Sequence, residues 1–218
     1  MDDENRGEPA NAQVAKSGKK PGLREIKSAR MRAALLETTE RHIIERGVEH
    51  LRARDIAKDA GCALGTIYKY FEDFDDLVLR VNSNTLRRLD EFLRPAIGGI
   101  TGPAEILHAL ALAYVRFAGQ NTALWHALFS YRMADGGAMP DWHTNEHEFM
   151  FRLIEGPISD LAPYLTEEEL AIRTRTVFAA THGVVSFSLE QRFIGVPSES
   201  LEREVAFLVR GFLLTLEG

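Results

Sequence analysis

Residues 31–79 read MRAALLETTERHIIERGVEHLRARDIAKDAGCALGTIYKYFEDFDDLVL, and this stretch decides the fold. A 3.6-residue rhythm enters it from Leu23 and Ile26 and passes through Arg30, Ala33, Ala34, Leu35, Thr39, Ile43 and Ile44. Gly47 ends that rhythm, as a residue tolerant of left-handed backbone does at a helix C-terminus. Two short helical segments follow, over about 53–60 and 64–70, with Gly61 as the turn residue between them. Ile56, Ala57 and Ala60 give the first an apolar stripe with little bulk, so a second helix can cross it closely. Ala63 and Gly65 keep the front of the second helix small. A long helix, two short ones and a tight Gly turn predict a helix-turn-helix arrangement.

Working outward, Asp73 is the expected N-cap of a longer helix, with Asp75 and Asp76 in its first turn where negative charge is favoured. That helix runs to about Pro95–Gly99, and Gly98, Gly99, Gly102 and Pro103 mark a break. Five further helices are predicted near 103–118, 121–133, 143–161, 166–193 and 198–216. Thr166-Glu167-Glu168-Glu169 is a capping-box pattern that starts the fourth of these. No strand-period run exceeds four residues, so the fold class is all-α. Residues 1–22 hold only Met1 and Val14 as sizeable apolar groups, and are expected to form a disordered basic arm. The boundaries read as arm 1–22, helix-turn-helix domain 23–72 and a second helical domain 73–218.

The 218 residues carry 26 Lys+Arg against 32 Asp+Glu. The charge is uneven: residues 16–80 hold 14 basic and 11 acidic groups, residues 81–218 hold 11 and 17. All six lysines precede residue 70. A basic front and an acidic rear point to a polyanion partner at the N-terminal end only. The longest stretch without a charged side chain is Phe117–Tyr131, 15 residues, short of the roughly 20 that a membrane span needs. Met1-Asp2-Asp3-Glu4 lacks the pattern of a secretory signal, and Cys62 is the one cysteine, so an internal disulfide and a cysteine-based zinc finger are excluded. A cytoplasmic location is expected.

Ile56-Ala57-x-x-Ala60-Gly61-x-x-x-Gly65-Thr66-Ile67-Tyr68-x-Tyr70-Phe71, followed by Leu77, resembles the DNA-binding signature of tetracycline-repressor-like (TetR family) transcriptional regulators. The resemblance implies three N-terminal helices for double-stranded DNA, a connecting helix, and a divergent helical domain for ligand binding and homodimerisation. It also implies roles. Tyr68 and Tyr70 would contact phosphate or the groove wall, Thr66 phosphate or a base edge, and Lys69 phosphate. Arg52 and Arg54 would touch the flanking backbone, and Ala63 and Leu64 would face base edges. Apart from the resemblance, the basic charge of residues 16–32, with Lys16, Lys19, Lys20, Arg24 and Lys27, suggests phosphate contact beside the main site. Four positions depart from the family pattern: Leu51 where Thr is usual, Ala63 where Ser is usual, Leu64 where a polar or basic residue is common, and Phe74 where Lys is common. Each removes a polar or cationic group from the DNA face.

The second half offers a catalytic alternative. His143-Thr144-Asn145-Glu146-His147 matches a zinc-hydrolase spacing, with both histidines on one helical face and Glu146 as a base. The pattern fixes only three positions and follows Pro140-Asp141, which reads as an exposed helix start. No metal, cofactor or catalytic role is therefore expected. Helices 166–193 and 198–216 carry apolar stripes (Val177, Val184, Phe187; Leu201, Val205, Leu208, Phe212, Leu216) that two subunits could pack as a four-helix bundle. Aromatic and Met residues crowd 114–151, and a cavity among them would suit a small apolar or aromatic effector. Its expected lining is Tyr114, Phe117, Trp125, Phe129, Met133 and Phe149, with His182 as a polar contact.

Overall fold

The computed structural model describes residues 22–216, and the expected arm, including Lys16, Lys19 and Lys20, lies outside the described residues apart from Gly22. Ten α-helices make up the described chain and no strand occurs among these residues. They are α1 Leu23–Arg46, α2 Ala53–Asp59, α3 Leu64–Ile67, α4 Phe74–Ile97, α5 Pro103–Gln120, α6 Thr122–Ser130, α7 Asp141–Glu146, α8 Glu148–Leu161, α9 Glu167–Leu189 and α10 Leu201–Leu214.

Three apolar clusters hold these helices. Leu35, Ile56, Ala57, Ile67, Phe71 and Leu77 tie α1, α2 and α3 to the start of α4. Ile43, Val48, Val78, Val81, Leu124 and Ala127 pack α6 against α1 and α4. The third and largest joins the far half of α4 to α5, α8, α9 and α10. The long helix α4 contributes to all three, so a shift of α4 is felt at both ends of the molecule. Side chains such as Leu35, Ile67 and Leu77 are fully buried, each worth about 1.5–3 kcal/mol of transfer free energy.

Caps set the element ends. Asp73 accepts a hydrogen bond from the Asp76 amide at 2.7 Å and starts α4. Thr166 and Glu169 form a reciprocal capping box at α9. Gly47 and Gly61 have φ of 84° and 71°, a backbone that side-chain-bearing residues rarely adopt.

Several helices differ from the expected spans. The stretch 143–161 is two helices, because the His147 side chain donates from Nδ1 to the His143 carbonyl at 2.9 Å and its amide reaches back only to Asn145 and Thr144, breaking the ladder. The segment 121–133 ends at Ser130, where Tyr131 turns extended and donates its hydroxyl to Asp75. The helix over 166–193 ends at Leu189, where Gln191 takes a φ of 52° and Ser188 Oγ accepts from the Val196 amide at 2.9 Å. The last one becomes a 3-10 turn, Ser198–Ser200, followed by α10. The segment 64–70 is helical only to Ile67 and continues as hydrogen-bonded turns through Phe71. In α1, Leu23 and Ile44 are exposed, while Thr38 and His42 take buried positions that the apolar rhythm did not mark.

Candidate nucleic-acid interface and internal cavity

The turn unit is fastened from behind. Ile67 and Phe71 are buried, and Arg32 lies over the Phe71 ring at 5.1 Å. His42 Nε2 sits 2.8 Å from Asp59 Oδ2, pinning the end of α2 to α1, and this bond holds the Asp59 carboxyl below the ordinary carboxylate range. With Ile67 and Phe71 pointing inward, the turn carries Tyr68 and Lys69 outward, while Leu64 is exposed at the start of α3. Leu64 is 36% and Tyr68 51% exposed. Ala63, Lys69, Arg52, Arg54 and Lys27 are also exposed, and Thr66 is half-buried. Tyr70 packs, half-buried, against the apolar cluster beneath. A groove lined by Arg54, Lys58, Cys62, Ala63 and Leu64 runs between α2 and α3.

Two of the four departures from the family pattern, Leu51 and Phe74, have local explanations. Arg52 occupies the N-cap of α2 and Ala63 that of α3, and neither side chain caps its helix. Leu51 instead packs between two apolar clusters, and so does Phe74, half-buried where a lysine would have been solvated. Gly65, like Gly119, Gly156, Gly183 and Gly211, is not required by the chain's own packing. A Cβ built at Gly65 meets no heavy atom within 4 Å, and its φ is not in the left-handed range.

In the second half, a narrow apolar cavity of about 50 Å³ lies between α4, α5, α8, α9 and α10. Tyr114 lines it, together with residues that the aromatic count did not mark: Leu93, Leu107, Leu110, Met150, Ile154, Phe178, Thr181, Val209 and Phe212 among them. Trp125, Phe129 and His182 form a neighbouring aromatic nest behind Tyr114. The Tyr114 hydroxyl and His182 Nδ1 lie 2.8 Å apart, and the His182 ring sits 5.0 Å from Trp125 and 4.5 Å from Phe129. Burial lowers the pKa of His182, keeping the ring neutral, and raises that of the Tyr114 hydroxyl.

Phe117, Met133 and Phe149 are not in the cavity wall. Phe117 is buried edge-on to Phe92, Met133 lies in the turn after α6, and Phe149 faces a separate cleft with Ser83 and Leu86. The cavity lies along the aliphatic stripe Leu107-Leu110-Ala111-Tyr114 of α5, a periodicity present in the sequence but outweighed there by the aromatic residues further on.

The His143 stretch is not exposed as expected. His143 is 2% exposed, packed beside α4, and desolvation pushes its pKa down to about 4. His143 Nδ1 has no hydrogen-bond partner and lies 3.6 Å from Glu146 Oε2. Glu146 accepts from Ser83 Oγ of α4 at 2.5 Å, and Arg80 lies 3.9 Å over the Trp142 ring. His147 spends Nδ1 on a backbone carbonyl. His143 and Glu146 thus hold α7 to α4, and no group of three or more metal-ligating side chains occurs among the described residues.

On α9 and α10, Ile172, Phe187, Phe207 and Leu214 are exposed, at 57%, 40%, 68% and 71%. Leu201, Val205 and Leu216 of the expected stripe are buried inside the chain's own core, and Val177, Val184, Leu208 and Phe212 are half-buried. No described helix is long and apolar enough to cross a membrane.

Solved structures share this architecture. A TetR transcriptional regulator from Rhodococcus sp. RHA1 aligns at 20% identity with a TM-score of 0.58, covering 85% of this chain and 97% of its own. A TetR-like transcriptional regulator from the same strain aligns at 16% and 0.61, covering 84% and 96%. A TetR-family transcriptional regulator from Streptomyces coelicolor aligns at 15% and 0.63, covering 87% and 97%. At these identities the likeness is one of fold. Sequence-family models carry it further. Residues 35–81, the helices whose outward face has just been described, match that of bacterial regulatory proteins of the tetR family. Residues 107–212, which supply most of the cavity wall, match the tetracyclin repressor-like C-terminal domain. With both halves matched and the helix-turn-helix in place, the chain belongs to the TetR family of DNA-binding transcriptional regulators.

Proposed function

We propose that the protein is a repressor that binds a palindromic operator as a homodimer and is released by a small apolar effector. The observation that carries this reading is the outward face of α3. Leu64, Tyr68 and Lys69 project from a turn unit clamped from behind, and Gly65 between them leaves room for a surface to approach. In this reading α3 enters a major groove. Thr66, Tyr68, Lys69 and Tyr70 meet phosphate, Arg52 and Arg54 the flanking backbone, and Ala63 and Leu64 the base edges, where apolar side chains read thymine methyls. Lys27, exposed on α1, continues the basic track toward the arm.

A second copy covers the exposed apolar face of α9 and α10. Phe207 and Leu214 form its centre, and half-sites then lie about 34–36 Å apart or a multiple of that. The effector occupies the apolar cavity. Because Leu93 of α4 is in its wall, occupancy bears directly on the helix that carries the DNA-reading unit. The effector shifts the population toward a subunit arrangement whose α3 spacing no longer fits the operator, to the extent that it prefers that arrangement. The test is a Tyr68→Ala variant in a DNA-binding assay on the sequence flanking its own gene. Much weaker binding with an intact dimer is expected; unchanged affinity would remove Tyr68 from the interface.

A further inference from the structure

We infer that the effector is an uncharged, elongated aliphatic molecule with a single hydrogen-bonding head, and that the head lies at the Tyr114–Thr181 end of the cavity. This rests on the effector reading above and narrows it to a chemical class.

Three observations carry it. First, no charged side chain lines the cavity among the described residues; Tyr114 and Thr181 are the polar ones. A charged ligand would have to leave water with no countercharge waiting, which is prohibitive in an apolar enclosure. His182 is not in the wall, and its burial disfavours the charged form of the ring. Second, the wall is mainly aliphatic and long. From Leu107 to Tyr114 the cavity follows α5 for seven residues, about 10 Å at 1.5 Å per residue, a length that a medium alkyl chain spans when extended. Third, polar capacity is concentrated at one end. The Tyr114 hydroxyl is paired with His182 Nδ1 and keeps room for one further hydrogen bond whichever group donates. Thr181 adds a hydroxyl that both donates and accepts, in a wall otherwise without polar side chains. Just behind Tyr114, the Trp125 ring packs edge-on at 6.0 Å, so its indole reports on any change at that end.

The chain has two tryptophans, so a Trp142→Phe variant leaves Trp125 as the sole indole. Four probes of equal chain length serve: decanol, methyl decanoate, decanoate and decylammonium. The inference expects the two neutral probes to change Trp125 emission and raise Tm. Their affinity should exceed that of the two ions by at least about tenfold, or 1.4 kcal/mol. Thr181→Val, which keeps the shape and removes the hydroxyl, should weaken decanol several-fold. Decanoate or decylammonium binding as tightly as decanol would overturn the charge argument while leaving the cavity as the effector site. Unchanged decanol affinity in Thr181→Val would overturn the placement of the head. If no probe moves either signal, or if Ala111→Phe, which fills the cavity, binds all four as before, the cavity is not the effector site and the inference falls with that reading.

Discussion

Replacing Gly65 with alanine should make the protein slightly more stable and a much worse DNA binder. The added methyl meets no atom of the protein within 4 Å, and the backbone there needs no left-handed φ. Alanine is favoured over glycine in a helix by about 0.5–1 kcal/mol, and the lower figure suits the first turn of a four-residue helix. For a chain of this size, about 0.5 kcal/mol raises Tm by roughly 1–2 °C. In the proposed complex the same methyl would stand between α3 and the groove wall. Displacing one charge-assisted contact costs about 1.5–3 kcal/mol, hence a loss of tenfold or more in affinity. Thermal unfolding gives the first quantity, and fluorescence anisotropy on an operator duplex at fixed salt gives the second. A variant that gains stability and binds as tightly as the parent would refute the reasoning, because α3 could not then sit against DNA at Gly65.

Other perturbations reach the remaining parts of the account. Phe207→Glu, placed on the exposed face of α10, should convert the proposed dimer to a monomer by sedimentation and abolish operator binding; a variant that stays dimeric would move the interface elsewhere. His143 is held neutral by burial, with its pKa at about 4 against an ordinary 6.5. Its contribution is therefore complete above pH 6.5 and lost as pH falls from there toward 4, by about 2–3 kcal/mol. Denaturant titrations at several pH values should show a shallower acid loss in His143→Gln than in the parent, and parallel curves would exclude this group. Asp75, buried at the start of α4, accepts from Tyr131 Oη and from the Ala134 amide at 3.1 Å. Asp75→Ala strands those donors and should cost about 1–3 kcal/mol in unfolding free energy.

The local rules were the legible part of this sequence. Asp73, Thr166 and Gly47 mark element ends through chemistry that acts within four residues, and each stands where that chemistry places it. The turn around Gly61 was legible for the same reason, since a positive φ is written into the residue type. Long-range demands were not. The break at His147 comes from a side chain capturing a carbonyl in its own turn, and the early end of α6 from Tyr131 reaching α4 across the fold. His143, polar and beside a proline, gave no sign that α4 would bury it. The cavity is not legible in the sequence, because an aliphatic stripe has the same pattern whether it lines a space or fills a core. Leu107, Leu110 and Val209 become a cavity wall only when five helices meet around a space that none of them fills.

The most direct test of the central claim is binding of the purified chain to the DNA flanking its own gene, titrated with salt against a scrambled duplex of equal length. Tight, sequence-selective binding with two chains per site is expected. Its affinity should fall with salt by a slope of about 0.9 for each phosphate contacted. Equal, weak binding to both duplexes that vanishes at moderate salt would contradict that claim, leaving a basic surface with no operator to read.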